Sequence, residues 1–215
     1  MNRWLDRGIT LLLLVLLGWA GWSMLHWLLV AADWSVVTTN LPLYAVGSFP
    51  ADQRWRPLLW MAALITLTLL TLTGPKRGWV RRWLPLVWIA MAPLGLWLLA
   101  GGLGLLPVGT RSWGGLTLTL LLTGGSGALA LPLGILLALG RRSELPVLRW
   151  SSAAYIELMR AVPLIAVLFF GQLLIPLFLP PGLEINRVLR AVVAFALFAA
   201  AYIAEDVRGG LQAIP

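Results

Sequence analysis

A length of 215 residues would suit one soluble domain or two small ones, but 60% of the chain is apolar and only 11% is charged. Soluble globular proteins run at about 45–50% apolar and about 25% charged, so these residues cannot cover a water-facing surface. Their wealth of Leu, Val, Ile and Trp excludes disorder, and 22 Gly with 14 Pro in no three-residue period exclude collagen. What remains is an all-α polytopic membrane protein. The chain has no Cys, which removes disulfides and thiol chemistry, and its single His cannot form a zinc or iron cluster. The net charge of +8 sits in short groups of Lys and Arg between apolar runs. Such groups mark membrane topology rather than a nucleic-acid surface.

Six apolar stretches are measured against the ~20 residues that cross a bilayer core. They are residues 8–32, 57–73, 83–106, 113–139, 161–179 and 191–204. The last reaches span length only if Val188 joins it and Arg187 and Arg190 snorkel to the surface. Lipid offers no partner for a free backbone N–H or C=O, so the spans must be helical. A β-barrel would need sustained apolar–polar alternation, which no stretch supplies. The first run is longer than a signal-peptide core, despite Arg3 and Arg7 before it, and is read as an uncleaved span.

Charge bias gives the orientation. With the N-terminus inside, Arg3, Arg7, Lys76, Arg77, Arg81, Arg82, Arg141, Arg142, Arg149, Arg160 and Arg208 are cytoplasmic. Arg54, Arg56, Arg111, Arg187 and Arg190 are external. This imbalance predicts a cytoplasmic N-terminus and returns the C-terminus to the cytoplasm after six spans. Trp4, Trp27, Trp34, Trp55, Trp60, Trp79, Trp83, Trp113 and Trp150 lie at or near span ends, where interfacial anchoring accounts for them.

Gly124-Gly125-Ser126-Gly127 lacks the Gly-Lys-Ser/Thr ending of a phosphate loop and lies inside the fourth span. Helix packing explains it better. Gly115, Thr119, Thr123 and Gly127 form one ridge at four-residue spacing, and Ser126, Ala130, Gly134 and Ala138 form a second. Small-residue ridges let helix backbones approach closely in a bilayer. His26 lies near Asp33 at the end of the first span and reads as an interfacial histidine, because a relay usually shows several titratable groups in sequence.

Glu157 and Arg160 stand at i and i+3 just before Pro163, as an exposed pair or as an ion pair fixing a helix mouth. Glu205 and Asp206 are expected to close the sixth span, with Arg208 as a partner in an outgoing turn. Acids at a helix C-terminus oppose the helix dipole, so that position asks for a reason. Gln172 in the fifth span serves either a pathway or helix packing. No Ser-His-Asp set, carboxylate pair, metal site or cofactor site emerges. A membrane-embedded enzyme is therefore set aside, which leaves a transport subunit or a non-transporting scaffold or assembly fragment.

Four stretches carry a family resemblance. They are Trp113-Gly114-Gly115-Leu116-Thr117-Leu118-Thr119, Pro132-Leu133-Gly134 through Gly140-Arg141-Arg142, Tyr155-Ile156-Glu157-Leu158-Met159-Arg160-Ala161-Val162-Pro163-Leu164, and Ala201-Tyr202-Ile203-Ala204-Glu205-Asp206-Val207-Arg208-Gly209-Gly210-Leu211-Gln212-Ala213-Ile214-Pro215. In order and spacing they resemble the permease subunits of polar amino-acid ABC importers with the type I architecture. Ala161 and Val162 depart from the Gly-Thr often found there. The resemblance implies a multi-pass subunit of a bacterial inner membrane that pairs with a second permease. Two cytoplasmic ATPase subunits hydrolyse the ATP, and an external substrate-binding protein delivers the amino acid. It divides the chain into an N-terminal three-span extension, residues 1–106, and the first three spans of the permease core, residues 107–215. It also implies that Glu157, Arg160 and Pro163 form a helix mouth and assembly site. Gln172, Tyr202 and Glu205 are candidates for pathway or packing roles, and Arg208, Gly209 and Gly210 begin the ATPase-coupling segment. The family continues past the position of Pro215 into an ATPase-docking loop and further spans, so residues 1–215 alone are expected to insert without transporting.

Overall fold

The computed structural model describes residues 3–73, 78–180 and 182–212, and its side chains are described except for Trp79, Val80 and Arg81. Lys76, Arg77 and residues 213–215 therefore lie outside the described residues, as do the side chains of Trp79 and Arg81. Helices make up nearly all the regular structure, and among the described residues there is no β-strand. Among the described residues five helices are long and apolar enough to cross a membrane, or six when one bent pair counts as a span.

The chain forms two compact units, divided at Leu41 and Pro42. The first is built on α1 (Arg3–His26), which runs into a π-helical turn, Trp27–Ala31. There the Trp34 indole N–H donates to the Leu28 carbonyl at 2.8 Å, and Asp33 accepts the Ser35 amide at 2.9 Å. The unit boundary falls inside a helix that the sequence reading had not anticipated, α2 (Ser35–Val46), next to Pro42.

The second unit holds α3 (Trp55–Thr73), α4 (Gly78–Ala100), α5 (Gly115–Arg141), α6 (Pro146–Ala161), α7 (Leu164–Phe169), α8 (Ile175–Phe178) and α9 (Arg187–Gln212). One corner of it is knit by residues the sequence had placed elsewhere. Trp60 and Trp113, expected at the interface, are buried with Phe49, Leu98, Leu99 and Val108. Their indole N–H groups find backbone partners, Met91 O at 3.0 Å and Val108 O at 3.3 Å, which makes an apolar core tolerable for them. Arg56, counted as an external-loop charge, is 1% exposed. Its Nη1 donates to Leu106 O at 2.9 Å and to Gln53, and the guanidinium lies over the Phe49 ring. At Gly47, φ +64, a Cβ would come within 2.5 Å of the Gly114 Cα, so two chain segments touch there by backbone alone.

The third apolar stretch ends earlier than residue 106. α4 stops at Ala100, and Gly101 at φ +87 and Gly102 at φ +93 turn the chain out of the helix.

α5 and α9 are parallel neighbours. Ser126 donates to Val192 O across a sequence offset of 66, and Ala138 lies with Ala204 at the same offset. The second small-residue ridge makes this contact: Ser126, Ala130, Gly134 and Ala138 are all buried, facing Ala196, Ala200 and Ala204. A Cβ at Gly134 would sit 2.6 Å from Ile203 Cγ2 and 3.0 Å from Ala200 O. The first ridge behaves otherwise, since Thr119, Thr123 and Gly127 are exposed.

Parallel neighbours need a returning segment, and residues 142–186 supply it. The span expected over residues 161–179 is the helical segment Leu164–Phe178, and α6 before it is a separate helix. Pro163 has no N–H to donate and holds Val162 extended, at φ −91 and ψ 136, so α6 and α7 are separate helices meeting at 104°. α7 and α8 are joined by a π-helical turn, Phe170–Leu174. In it Gly171 packs against Ala194, and Gln172 Nε2 donates to Arg187 O at 2.9 Å. α9 is longer than the expected residues 191–204, because the helix continues past Glu205 to Gln212.

Candidate functional site

The ends of α5 and α6 converge on α9, which continues past them. Each brings charge, for a reason legible in its own turn. Arg141 is in the last turn of α5 and Arg160 in the last turn of α6, where cations complement the helix dipole. Glu205 follows the alanine face of α9 and is carried into the bundle by that face.

Glu205 is the centre. Its Oε1 accepts Arg141 Nη1 at 2.5 Å. Its Oε2 takes Arg208 Nη2 at 2.9 Å and Nε at 3.1 Å, and Arg160 Nη1 at 3.4 Å. The Glu205 side chain is only 17% exposed. Three guanidinium groups thus share one half-enclosed carboxylate, and Glu157 adds a second acid by accepting Arg141 Nη2 at 3.3 Å. Arg208 also donates to Gln212 Oε1 at 2.9 Å, one turn on.

The pairing expected between Glu157 and Arg160 is not made: Glu157 goes to Arg141 and Arg160 goes to Glu205. Partners on other helices win because both side chains lie near charges presented by α5 and α9. The expectation that Glu205 and Asp206 end a helix is likewise corrected. Both are interior to α9, so no unfavourable dipole contact needs explaining. Arg208 is the partner foreseen for them, at i+3 on the same helix.

Aromatic residues brace the cluster. Arg160 stands 5.9 Å from the Tyr202 ring centroid, and Tyr202 packs against Phe198 at 5.0 Å. Tyr155 of α6 donates to Leu197 O of α9 at 2.8 Å. Pro163, three residues after Arg160, caps α7 and sets the direction in which the next helix leaves. Gly209 and Gly210 lie on exposed turns of α9, and an added Cβ at either meets nothing within 4 Å. Sequence spacing did not reveal Arg141 as the main partner of Glu205. Its only local signal is the Arg141-Arg142 pair, which topology explains equally well.

Among the described residues the cluster is built of guanidinium groups and carboxylates bound to one another. Its physical effect is mechanical. It ties α5, α6 and α9 together by charge-assisted bonds, so one end cannot shift without the others unless several bonds break.

A separate cavity of about 740 Å³ opens beside Gly124 and Gly125, lined by Trp60, Trp88, Trp113, Leu121, Leu189 and Val192 among others. Among the described residues no charged side chain lines it.

No protein-family profile matches the sequence. The chain is 42% identical over 201 residues to the inner membrane amino-acid ABC transporter permease protein YhdY of Escherichia coli (strain K12), covering 92% of this chain and 54% of that protein. It is 34% identical over 239 residues to the glutamate/glutamine/aspartate/asparagine transport system permease protein BztC of Rhodobacter capsulatus, covering 86% and 55%. The glutamate/aspartate import permease protein GltK of Escherichia coli O157:H7 matches over 105 residues at 35%, covering 46% of this chain. A crystal structure of an amino acid ABC transporter with histidines is 30% identical with a TM-score of 0.42, covering 45% of this chain and 44% of that one. The chain spans about half the length of the curated relatives that match nearly all of it.

Proposed function

We propose that this chain, related by sequence to the permease subunits of amino-acid ABC transporters, forms part of the translocation pathway of an ATP-driven amino-acid uptake system in a bacterial inner membrane. The observation that carries this reading is the 42% identity to an amino-acid ABC transporter permease along 92% of the chain. In it, the chain works by alternating access beside a second permease, while separate ATPase subunits supply the energy and an external binding protein delivers the amino acid. Residues 107–215 are the first three spans of the permease core and residues 1–106 an extension. That division is supported by the two kinds of relative, some matching most of the chain and others less than half.

The Glu205 cluster has a definite part in this reading. Energy supplied by a partner shifts a permease only through contacts that differ between its two states. Helix ends tied by Arg141, Arg160 and Arg208 to one carboxylate move together and pass a push on one to the rest. Glu157, Arg160 and Pro163 shape the helix mouth, and Arg208, Gly209 and Gly210 lead toward the ATPase side.

The test is uptake of a panel of labelled polar amino acids by cells that carry the second permease, ATPases and binding protein, with and without the protein bearing this chain. ATP-dependent uptake that appears only with it supports the proposal. Unchanged uptake, with the protein demonstrably in the membrane, rejects it.

A further inference from the structure

The outward side of α6 carries an apolar stripe that nothing in the fold covers. Ser152 and Ile156 face the bundle, and Ser152 lies against Gly140 of α5. Val147, Trp150, Ala154 and Leu158 recur at spacings of three and four, which puts them together on the opposite side. Val147 is 79% exposed, Trp150 72% and Leu158 60%. On a helix facing water this side would be polar.

Three observations identify what meets it. First, α6 turns through 104° into α7, so it runs across the direction of the membrane-directed segment that follows. A helix set that way beside spans lies along the membrane surface. Second, Trp150 is in the stripe, and tryptophan is the side chain that settles at the level of lipid headgroups. Third, Arg142 and Arg149 are exposed near the start of α6 and belong to no ion pair among the described residues. An apolar face flanked by basic side chains is the pattern of a helix that binds an anionic bilayer surface. Leu136 and Leu139 at the end of α5, the helix before it, are exposed as well.

We propose that α6 lies in the membrane surface, with Val147, Trp150 and Leu158 among the upper acyl chains of anionic lipids and Arg142 and Arg149 on their phosphates. The bundle is thereby held at a fixed depth while the Glu205 cluster on the inner side of α6 binds its helices together.

The lack of native Cys allows single spin labels at Val147, Trp150 and Leu158, all exposed and therefore harmless to packing, with a label at Glu144 for comparison. The 215-residue chain is placed in nanodiscs of phosphatidylglycerol with phosphatidylethanolamine, and in nanodiscs of phosphatidylcholine. A Ser126→Cys thiol, buried between α5 and α9, stays unreactive in folded preparations and verifies them. The ratio of oxygen to water-soluble nickel accessibility should be several-fold higher at the three stripe positions than at Glu144. Replacing Arg142 and Arg149 by Gln should lower it in the anionic discs and leave the phosphatidylcholine discs unchanged. Water-like accessibility at the stripe overturns the proposal, as does shielding from both reagents, which signals a protein contact. Equal values in the two lipids, unaffected by the Arg substitutions, overturn its anionic part.

Discussion

Glu205 illustrates how far one carboxylate's neighbours decide its meaning. Read along the chain it pairs with Arg208; in the fold it also receives Arg141 and Arg160 from two other helices. Removing it leaves three guanidinium groups facing one another with only Glu157 nearby. Loss of charge-assisted bonds at a half-enclosed site costs roughly 1–3 kcal/mol, so Glu205→Ala should lower the thermal unfolding midpoint in detergent measurably. The pairing itself is read by double-mutant cycles on that same signal. Arg160→Ala and Glu205→Ala should be non-additive by at least about 0.5 kcal/mol, while Glu157→Ala and Arg160→Ala should add. Coupling between Glu157 and Arg160 with none to Glu205 would contradict the arrangement. The i, i+3 spacing of Glu157 and Arg160 was visible in the sequence. Their true partners were not, because Arg141 and Glu205 lie 64 residues apart and only the α5–α9 offset brings them together.

At the scale of elements, apolar length and small-residue spacing were enough to place most helices, since both are local and helix formation in lipid is compulsory. The ridge over Ser126, Ala130, Gly134 and Ala138 was legible in the same way, and it is the face that meets α9. Which of the two ridges would be used was not legible, because four-residue spacing says nothing about the neighbour. The contrast can be measured. Gly134→Ala forces a methyl to within 2.6 Å of Ile203 and 3.0 Å of the Ala200 carbonyl, a crowding that costs about 1–3 kcal/mol. Gly127→Ala meets nothing within 4 Å and should be neutral or stabilising by up to about 1 kcal/mol, from helix propensity. Equal effects on detergent unfolding would deny the α5–α9 contact. The break at Pro163 falls at the start of the span expected over residues 161–179, where a proline without an N–H ends one helix and lets the next begin. The direction of α6 before it was not legible, because spacing and hydropathy along a chain carry no angle between helices. Trp60 and Trp113 were misplaced for a related reason: an indole reads as interfacial unless its backbone acceptor is known.

For the whole molecule, the side of the membrane on which the Glu205 cluster lies follows from charge bias alone, so it is the first property to test. A single Cys at Ser48 should react with an impermeant reagent in intact cells. One at Glu144, exposed in the turn after α5, should react only after the membrane is opened. The reverse pattern would move the cluster to the outer face and remove it from any contact with cytoplasmic ATPases. The energy source is the last property to test. Insertion draws on apolar spans and on the Lys and Arg bias, and residues 1–215 contain both. In the proposed reading active uptake draws its free energy from nucleotide hydrolysis, and no stretch of this sequence has the glycine-rich loop ending in Gly-Lys-Ser/Thr that cradles phosphates. Proteoliposomes holding a polypeptide of residues 1–215 alone should therefore contain membrane-inserted protein, yet show no amino-acid accumulation when ATP is supplied. Uptake should appear only when ATPases, a second permease and a binding protein accompany the protein that bears this chain. The Glu205→Ala variant should then lower the uptake rate more than it lowers ATP hydrolysis, because the tie between helix ends, and not the nucleotide site, has been cut. A fall of both in equal proportion would place Glu205 in folding alone. Accumulation by residues 1–215 without partners would require an energy source that this sequence does not display.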